Sequence, residues 1–150
     1  MRVVIQRVSE AKVEIDGKIV GSIKRGAMIL LGIEHEDSSE DIDYLVQKTS
    51  NLRIFDHENG VMNLSLKDIN GQVLVISQFT LHASTRKGNR PSYIKAAPAK
   101  IANGLYEEFK SKIGVAINKK VECGVFGADM QCSLTNDGPV TIIIDSKNRE

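Results

Sequence analysis

Val73-Leu74-Val75-Ile76, followed at once by Ser77-Gln78-Phe79-Thr80-Leu81, decides how this chain is read. Four consecutive apolar residues, most of them β-branched, predict a short buried strand. The abrupt change to hydroxyl and amide side chains predicts that the strand's end emerges at a site, because strand ends are rigid supports for positioned groups. Ser77, Gln78 and Thr80 offer two hydroxyls and a primary amide, with backbone N–H groups between them. Such equipment holds a polar substrate or a developing oxyanion, and it contains no base.

Upstream, Val3, Ile5, Val8, Ala11, Val13 and Ile15 predict one long alternating strand, interrupted near Ser9-Glu10. Asp16-Gly17 is a hairpin signal, with Lys18–Ile23 as the return strand. Ala27–Ile33 is nearly all apolar and predicts a strand buried on both faces. A helix is expected through Asp41–Asn51, capped by Ser38 or Ser39, with Ile42, Leu45, Val46, Thr49 and Leu52 on its packed face. Asp56–Gly60 and Asn70-Gly71 predict turns.

Downstream, residues 82–97 are polar and aperiodic, and stretches of this kind in compact domains are often functional. Pro98 suits a helix start, Ile101, Leu105, Phe109 and Ile113 form an i, i+4 ladder, and Gly114 is the expected stop. Alternation then resumes through Val115, Ile117 and Val121, through Met130, Cys132 and Leu134, and through Val140, Ile142 and Ile144. About seven or eight strands and two helices result. The expected fold is a single α+β domain over residues 1–150, with helices packed on a curved or barrel-like, mostly antiparallel sheet that the last strands need not close beside the first.

Composition narrows the function classes. A net charge of +1 argues against a chain that coats nucleic acid non-specifically, while leaving room for a local basic patch. No apolar stretch approaches the roughly 20 residues that span a bilayer. Met1–Val8 does not read as a secretory signal. Cys123 and Cys132 match neither a zinc knuckle nor a redox motif, and reduced thiols in a cytosolic protein are expected. Both read as small core hydrophobes.

The three histidines decide what chemistry the strand end can support. A nucleophilic hydroxyl needs an adjacent base. His35 and His57 sit in acidic loops and read as surface residues. His82 follows the motif directly, but neighbouring strand residues face opposite ways. A hydroxyl-and-amide binding site therefore fits better than a protein nucleophile. The run Glu34-His35-Glu36-Asp37 fits no standard metal spacing and reads as an acidic loop. Arg86, Lys87 and Arg90 place three cations within five residues, with Tyr93 and Lys95 behind them. A basic loop with an aromatic, next to a polar strand end, suits a phosphate-bearing ligand or a nucleic-acid end. Asn136-Asp137-Gly138-Pro139-Val140-Thr141 reads as a turn that enters a β-branched strand through a proline, and its Gly-Pro peptide exposes carbonyls with little side-chain cover.

Ser77-Gln78-Phe79-Thr80-Leu81 and Asn136-Asp137-Gly138-Pro139-Val140-Thr141 resemble the two signature motifs of the D-aminoacyl-tRNA (D-tyrosyl-tRNA) deacylases. Met1–Val8, Arg86–Ser92 and Gly124–Met130 resemble that family too, in family order across essentially the whole chain. Tyr93 stands where phenylalanine is common, and Cys132 where an aliphatic residue is common. The resemblance implies a cytoplasmic homodimer that hydrolyses the ester between a D-amino acid, or mischarged glycine, and the 3′-terminal adenosine of tRNA. No cofactor or metal is implied. Ser77, Gln78, Phe79 and Thr80 would form the catalytic segment. Gly138 and Pro139, joined by a cis peptide, would enter the partner's site with Asn136 nearby, Met130 would line the adenosine pocket, and Arg86, Lys87 and Arg90 would approach RNA. Two rival classes remain: a hydrolase of another small ester with a true Thr80 or Ser77 nucleophile, and a module that binds RNA ends or peptides without catalysis.

Overall fold

The structure, a computed structural model, describes residues 1–150. Six of the eight strands form a curled mixed sheet with two helices packed on one face, and the other two form a separate hairpin. Strand β1 (Arg2–Ile15) is one strand, and the irregularity expected near Ser9-Glu10 is a register shift against the last strand between Val8 and Glu10. It turns at Asp16 (φ 49°) and Gly17 (φ 74°) into β2 (Lys18–Ile23). Positive φ at both loop residues matches the right-handed twist of a two-residue hairpin. β3 (Gly26–Gly32) pairs antiparallel with the first half of β1, while β2 pairs with the second half.

Helix α1 (Ser39–Asn51) begins after Ser38. The Asp41 carboxylate accepts the Ser38 backbone N–H at 2.9 Å and its hydroxyl at 3.3 Å, which ties down the first turn. The small hairpin of β4 (Phe55–Asp56) and β5 (Met62–Leu64) follows. β6 (Gln72–Ser77) then runs parallel to β3. Two pairings of the sheet are thus parallel, β3 with β6 and β6 with β7 (Glu122–Cys123), and the rest antiparallel.

The run Val73–Ile76 is apolar throughout because β6 lies between two cores. Val73 and Val75 belong to the cluster under the helices, with Phe55, Tyr106 and Phe109. Leu74 and Ile76 face the sheet's concave side with Val8, Val13, Ile23 and Met28. On the concave side β2 curls back to β7, and a Cβ at Gly21 would stand 2.8 Å from the Cys123 carbonyl oxygen. Glycine is the residue that permits this near-closure.

Three expectations are corrected. Helix α2 (Ala99–Ile117) continues past Gly114, so Val115 and Ile117 are helical. Asn118, at φ 51°, takes the left-handed position that ends it. Gly114 instead admits the returning chain, since a Cβ there would lie 3.1 Å from the Lys119 carbonyl oxygen. The buried stripe of α2 is Ala102, Tyr106, Phe109, Ile113 and Ile117, and Ile101 is half exposed. Tyr106 takes the inward place because its hydroxyl donates to the Val75 carbonyl at 2.9 Å, satisfying a buried polar tip. The third correction concerns Asn136–Thr141, which is no turn between strands. It lies within one strand, β8 (Gln131–Asp145), which pairs antiparallel along β1 and brings the last strand beside the first.

Candidate functional site

The strand ends at Ser77, but the motif does not continue as strand. Gln78 leaves the strand conformation (φ −143°, ψ 82°), and Phe79–His82 forms one 3₁₀ turn. The Gln78 N–H donates to the Leu31 carbonyl at 2.8 Å, extending the β3–β6 ladder by one bond. Leu81 N–H to Gln78 O (3.3 Å) and Ala83 N–H to Thr80 O (3.1 Å) close the turn. The first N–H groups of a helical turn have no partner inside it, so those of Phe79 and Thr80 point out of its open end. Gln78 Nε2 donates to Thr80 Oγ1. The neighbour of the threonine hydroxyl is therefore an amide donor, not a base.

Ser77, Gln78 and Phe79 line a cavity of about 560 Å³, together with Ile76, Tyr93, Phe126 and Met130. Phe79 and Tyr93 meet edge to face, centroids 5.0 Å apart, at the exposed rim. Met130 reaches the cavity over Gly124, where any Cβ would collide with its sulfur. Thr80, bonded to the Gln78 amide, is not part of the lining. Cys132 also lines the cavity, which corrects its expected place in the core: its half of β8 is exposed. Partial burial pushes its thiol pKa up. Cys123 is half-buried beside β6, and neither cysteine is in a disulfide.

Arg86, Lys87 and Arg90 are all exposed and free of ion pairs. Their loop is pinned at its base by reciprocal Ser84–Ser92 backbone bonds of 2.8 and 2.9 Å. The acidic run is used internally. Asp37 holds the buried amino group of Met1, and Glu34 meets His82 Nδ1 at 2.9 Å. His82 is buried rather than facing a hydroxyl, and His35 and His57 are exposed, so no imidazole serves the strand end.

The second motif forms an excursion of β8. Asn136 pairs with Val8 and Thr141 with Gln6, which leaves Asp137, Gly138, Pro139 and Val140 opposite Arg7 alone. Gly138 and Pro139 are exposed, and their peptide bond is cis. The Asn136 amide works inside the excursion. Its Nδ2 donates to Gln6 Oε1 at 2.6 Å and Thr141 Oγ1 at 3.3 Å, and its Oδ1 accepts the Val140 N–H at 3.2 Å.

Arg7 is the residue that the sequence reading passed over. It is 5% exposed. Its Nε donates to the Asp137 carbonyl at 3.0 Å, and its Nη1 to the Ile54 carbonyl at 2.7 Å and Asp56 Oδ1 at 3.1 Å. A signal was present: Arg7 has the inward parity of Val3 and Ile5, and a charge at a buried parity needs partners.

The two motifs do not meet within one chain. Arg7, opposite the excursion, is in register with Ala27 and Val73, whereas Ser77 is in register with Leu31 and Val3. Four residues along the strands and three strand spacings across amount to about 20 Å over the sheet surface.

The model of the D-Tyr-tRNA(Tyr) deacylase family matches residues 4–145. A D-aminoacyl-tRNA deacylase of Flavobacterium psychrophilum is 62% identical over 100% of both chains. One of Bacteroides fragilis is 63% identical, again over 100% of both. Among solved structures, the c-Myc DNA Unwinding Element Binding Protein superposes with a TM-score of 0.91 at 38% identity, covering 97% of this chain and 98% of that one. A probable eukaryotic D-amino acid tRNA deacylase shares the fold at a TM-score of 0.83 and 18% identity, covering 95% and 97%. With a family model spanning nearly its whole length and full-length relatives above 60% identity, the chain belongs to the D-aminoacyl-tRNA deacylase family.

Proposed function

We propose that this protein is a hydrolase that cleaves the ester between a D-amino acid and the 3′-terminal adenosine of tRNA in the cytoplasm, and that it also removes mischarged glycine. The observation that carries the reading is a cavity walled by Ser77, Gln78, Phe79 and Met130, with no imidazole in its lining, Asp129 as its one carboxylate, and the neighbouring Thr80 hydroxyl held by the Gln78 amide. An aminoacyl ester is already activated and asks little of a protein base. Water adds to the ester carbonyl, the N–H near Phe79 with Gln78 holds the tetrahedral oxyanion, and the ribose oxygen leaves with a proton. The terminal 2′-hydroxyl of the substrate supplies the activation that the chain lacks. Met130 flanks the adenosine, and Arg86, Lys87 and Arg90 approach the RNA backbone.

Selectivity is by exclusion. Gly138 and Pro139 of a second copy enter the cavity, their carbonyls bind the α-amino group, and no room is left for an L side chain, while hydrogen or a D substituent fits. The exposed, side-chain-poor excursion supports this, as does its separation of about 20 Å from Ser77 within one chain. The test is hydrolysis of D-tyrosyl-, L-tyrosyl- and glycyl-tRNA side by side. Rapid loss of the D-tyrosyl and glycyl esters with the L ester spared is expected. Equal D and L rates overturn exclusion, and three inert esters overturn the enzyme.

A further inference from the structure

His82 closes the 3₁₀ turn whose first residue, Phe79, lines the cavity, and it is 3% exposed. Its Nδ1 lies 2.9 Å from Glu34 Oε1, while its Nε2 is buried with no partner. The ring lies flat against β3: a Cβ at Gly32 would come within 3.0 Å of both Cδ2 and Nε2. A buried N–H needs an acceptor, and only Nδ1 has one, so the ring's proton belongs on Nδ1, directed at Glu34.

Glu34 is itself zipped to the opposite wall of the cavity. It bridges Ala96, the Ala97 N–H donates to the Ile33 carbonyl at 2.9 Å, and the Ala96 N–H to the Tyr93 carbonyl at 3.0 Å. Tyr93 in turn stands edge to face against Phe79. One side-chain bond thus joins the turn that carries Phe79 and Thr80 to the strap that carries Tyr93, Ala96 and Ala97.

We propose that His82 and Glu34 are a positioning pair for the hydrolysis described above: their bond fixes the 3₁₀ turn, and with it the N–H groups of Phe79 and Thr80, relative to the Tyr93–Ala97 wall. Neither side chain touches substrate. Misplacing oxyanion donors by a fraction of an ångström reduces turnover without weakening tRNA binding, which depends on groups elsewhere.

The test uses three variants of the full chain. His82→Phe keeps a ring against Gly32 and removes the Nδ1–H. His82→Asn restores a donor near that position. Glu34→Ala removes the acceptor without altering the turn's own residues. Readouts are kcat and KM on D-tyrosyl-tRNA and hydrogen exchange at the Leu81 and Ala83 amides, which needs no substrate. His82→Phe and Glu34→Ala are expected to lower kcat roughly tenfold with KM within about twofold, and to speed exchange at both amides. His82→Asn recovers most of both. A folded His82→Phe or Glu34→Ala protein with wild-type kcat and exchange overturns the proposal, as does a loss confined to KM. The inference rests on the proposed function. Should the wild-type protein leave D-tyrosyl-tRNA intact, that function fails, and exchange at Leu81 and Ala83 alone decides whether the pair holds the turn.

Discussion

Replacing Arg7 by methionine separates the support of the excursion from the excursion itself. Methionine fills the volume of the arginine stem, so little of the cost comes from a cavity. The Asp56 and Asp137 side chains are 45% and 47% exposed and regain water when the guanidinium goes, so each lost ion pair counts for at most about 1 kcal/mol. Ile54 differs: the residue is only 8% exposed, and its carbonyl loses a 2.7 Å bond with little water to replace it. A stranded buried acceptor costs about 1–3 kcal/mol. The sum is about 1–5 kcal/mol, or a fall in melting temperature of roughly 2–20 °C for a domain of this size. The excursion also loses the bond at the Asp137 carbonyl and keeps only the Asn136 amide network. Arg7→Met should therefore hydrolyse L-tyrosyl-tRNA at least about tenfold faster relative to D-tyrosyl-tRNA than wild type does, a coupling of roughly 1.4 kcal/mol. Urea denaturation and paired single-turnover assays measure both effects. A variant within about 0.5 kcal/mol of wild type, with an unchanged D-to-L ratio, refutes the reasoning.

Three further outcomes are expected. Thr80→Ala loses only the bond from Gln78, about 0.5–1.5 kcal/mol of stability, and its single-turnover rate should stay within about tenfold of wild type; a near-background rate in a folded variant that still binds tRNA would restore the threonine nucleophile. Mixing Gly138→Ala chains, whose new Cβ would stand 2.9 Å from Arg7 Nη2 at a φ of 122°, with an equal amount of Gln78→Ala chains should rebuild wild-type pairings at about a quarter of the sites and halve the L-tyrosyl-tRNA hydrolysis per Gly138→Ala chain if each site takes one motif from each copy; L-ester hydrolysis per Gly138→Ala chain that mixing leaves unchanged would count against shared sites. Burial alone would raise the carboxyl pKa values of Asp41 and Asp145, yet Ser146 and Lys147 on the first, and the Lys147 N–H and Arg2 on the second, hold both below the usual value. Their stabilisation is full above about pH 4 and disappears as pH falls through the lower folded values, so Asp41→Asn should weaken the protein at neutral pH and flatten its acid unfolding limb.

The sequence makes the elements legible where one physical requirement governs each residue. Alternation marks β1, the Asp16-Gly17 pair marks its hairpin, and the acidic first turn after Ser38 marks α1. It misleads where two requirements compete. Gly114 looks like a helix stop, but its role is close approach to Lys119, and Asn118 supplies the stop. Asn136–Pro139 has turn chemistry and still lies within a strand, because β1 pairs on both sides of it. The polar strand end, which the structure places on a cavity wall, was legible as a candidate, whereas the 3₁₀ turn that shapes it depends on Leu31 and Gly32, which are distant in sequence. Arg7 and Glu34 were hidden for the same reason: their partners, Asp137 and His82, come from other parts of the chain.

The buried and half-buried polar side chains at these two motifs share one property. Arg7 grips the Asp137 carbonyl, Asn136 the Val140 N–H, Gln78 the Thr80 hydroxyl, and His82 the Glu34 carboxylate. Each restrains a stretch of backbone, and none is poised to give or take a substrate proton. That division suits a reaction whose difficulty is selection rather than bond breaking. Mirror-image amino acids present the same atoms, so attraction distinguishes them poorly, and a rigid surface against one side of the α-carbon distinguishes them well. A rigid surface requires that the backbone forming it cannot yield, and the structure places its internal hydrogen bonds at both segments that would form it. On the function proposed, a strand end without an imidazole is then the expected partner of a braced glycine-proline tip: one segment would hold the ester, and the other would decide which ester can enter.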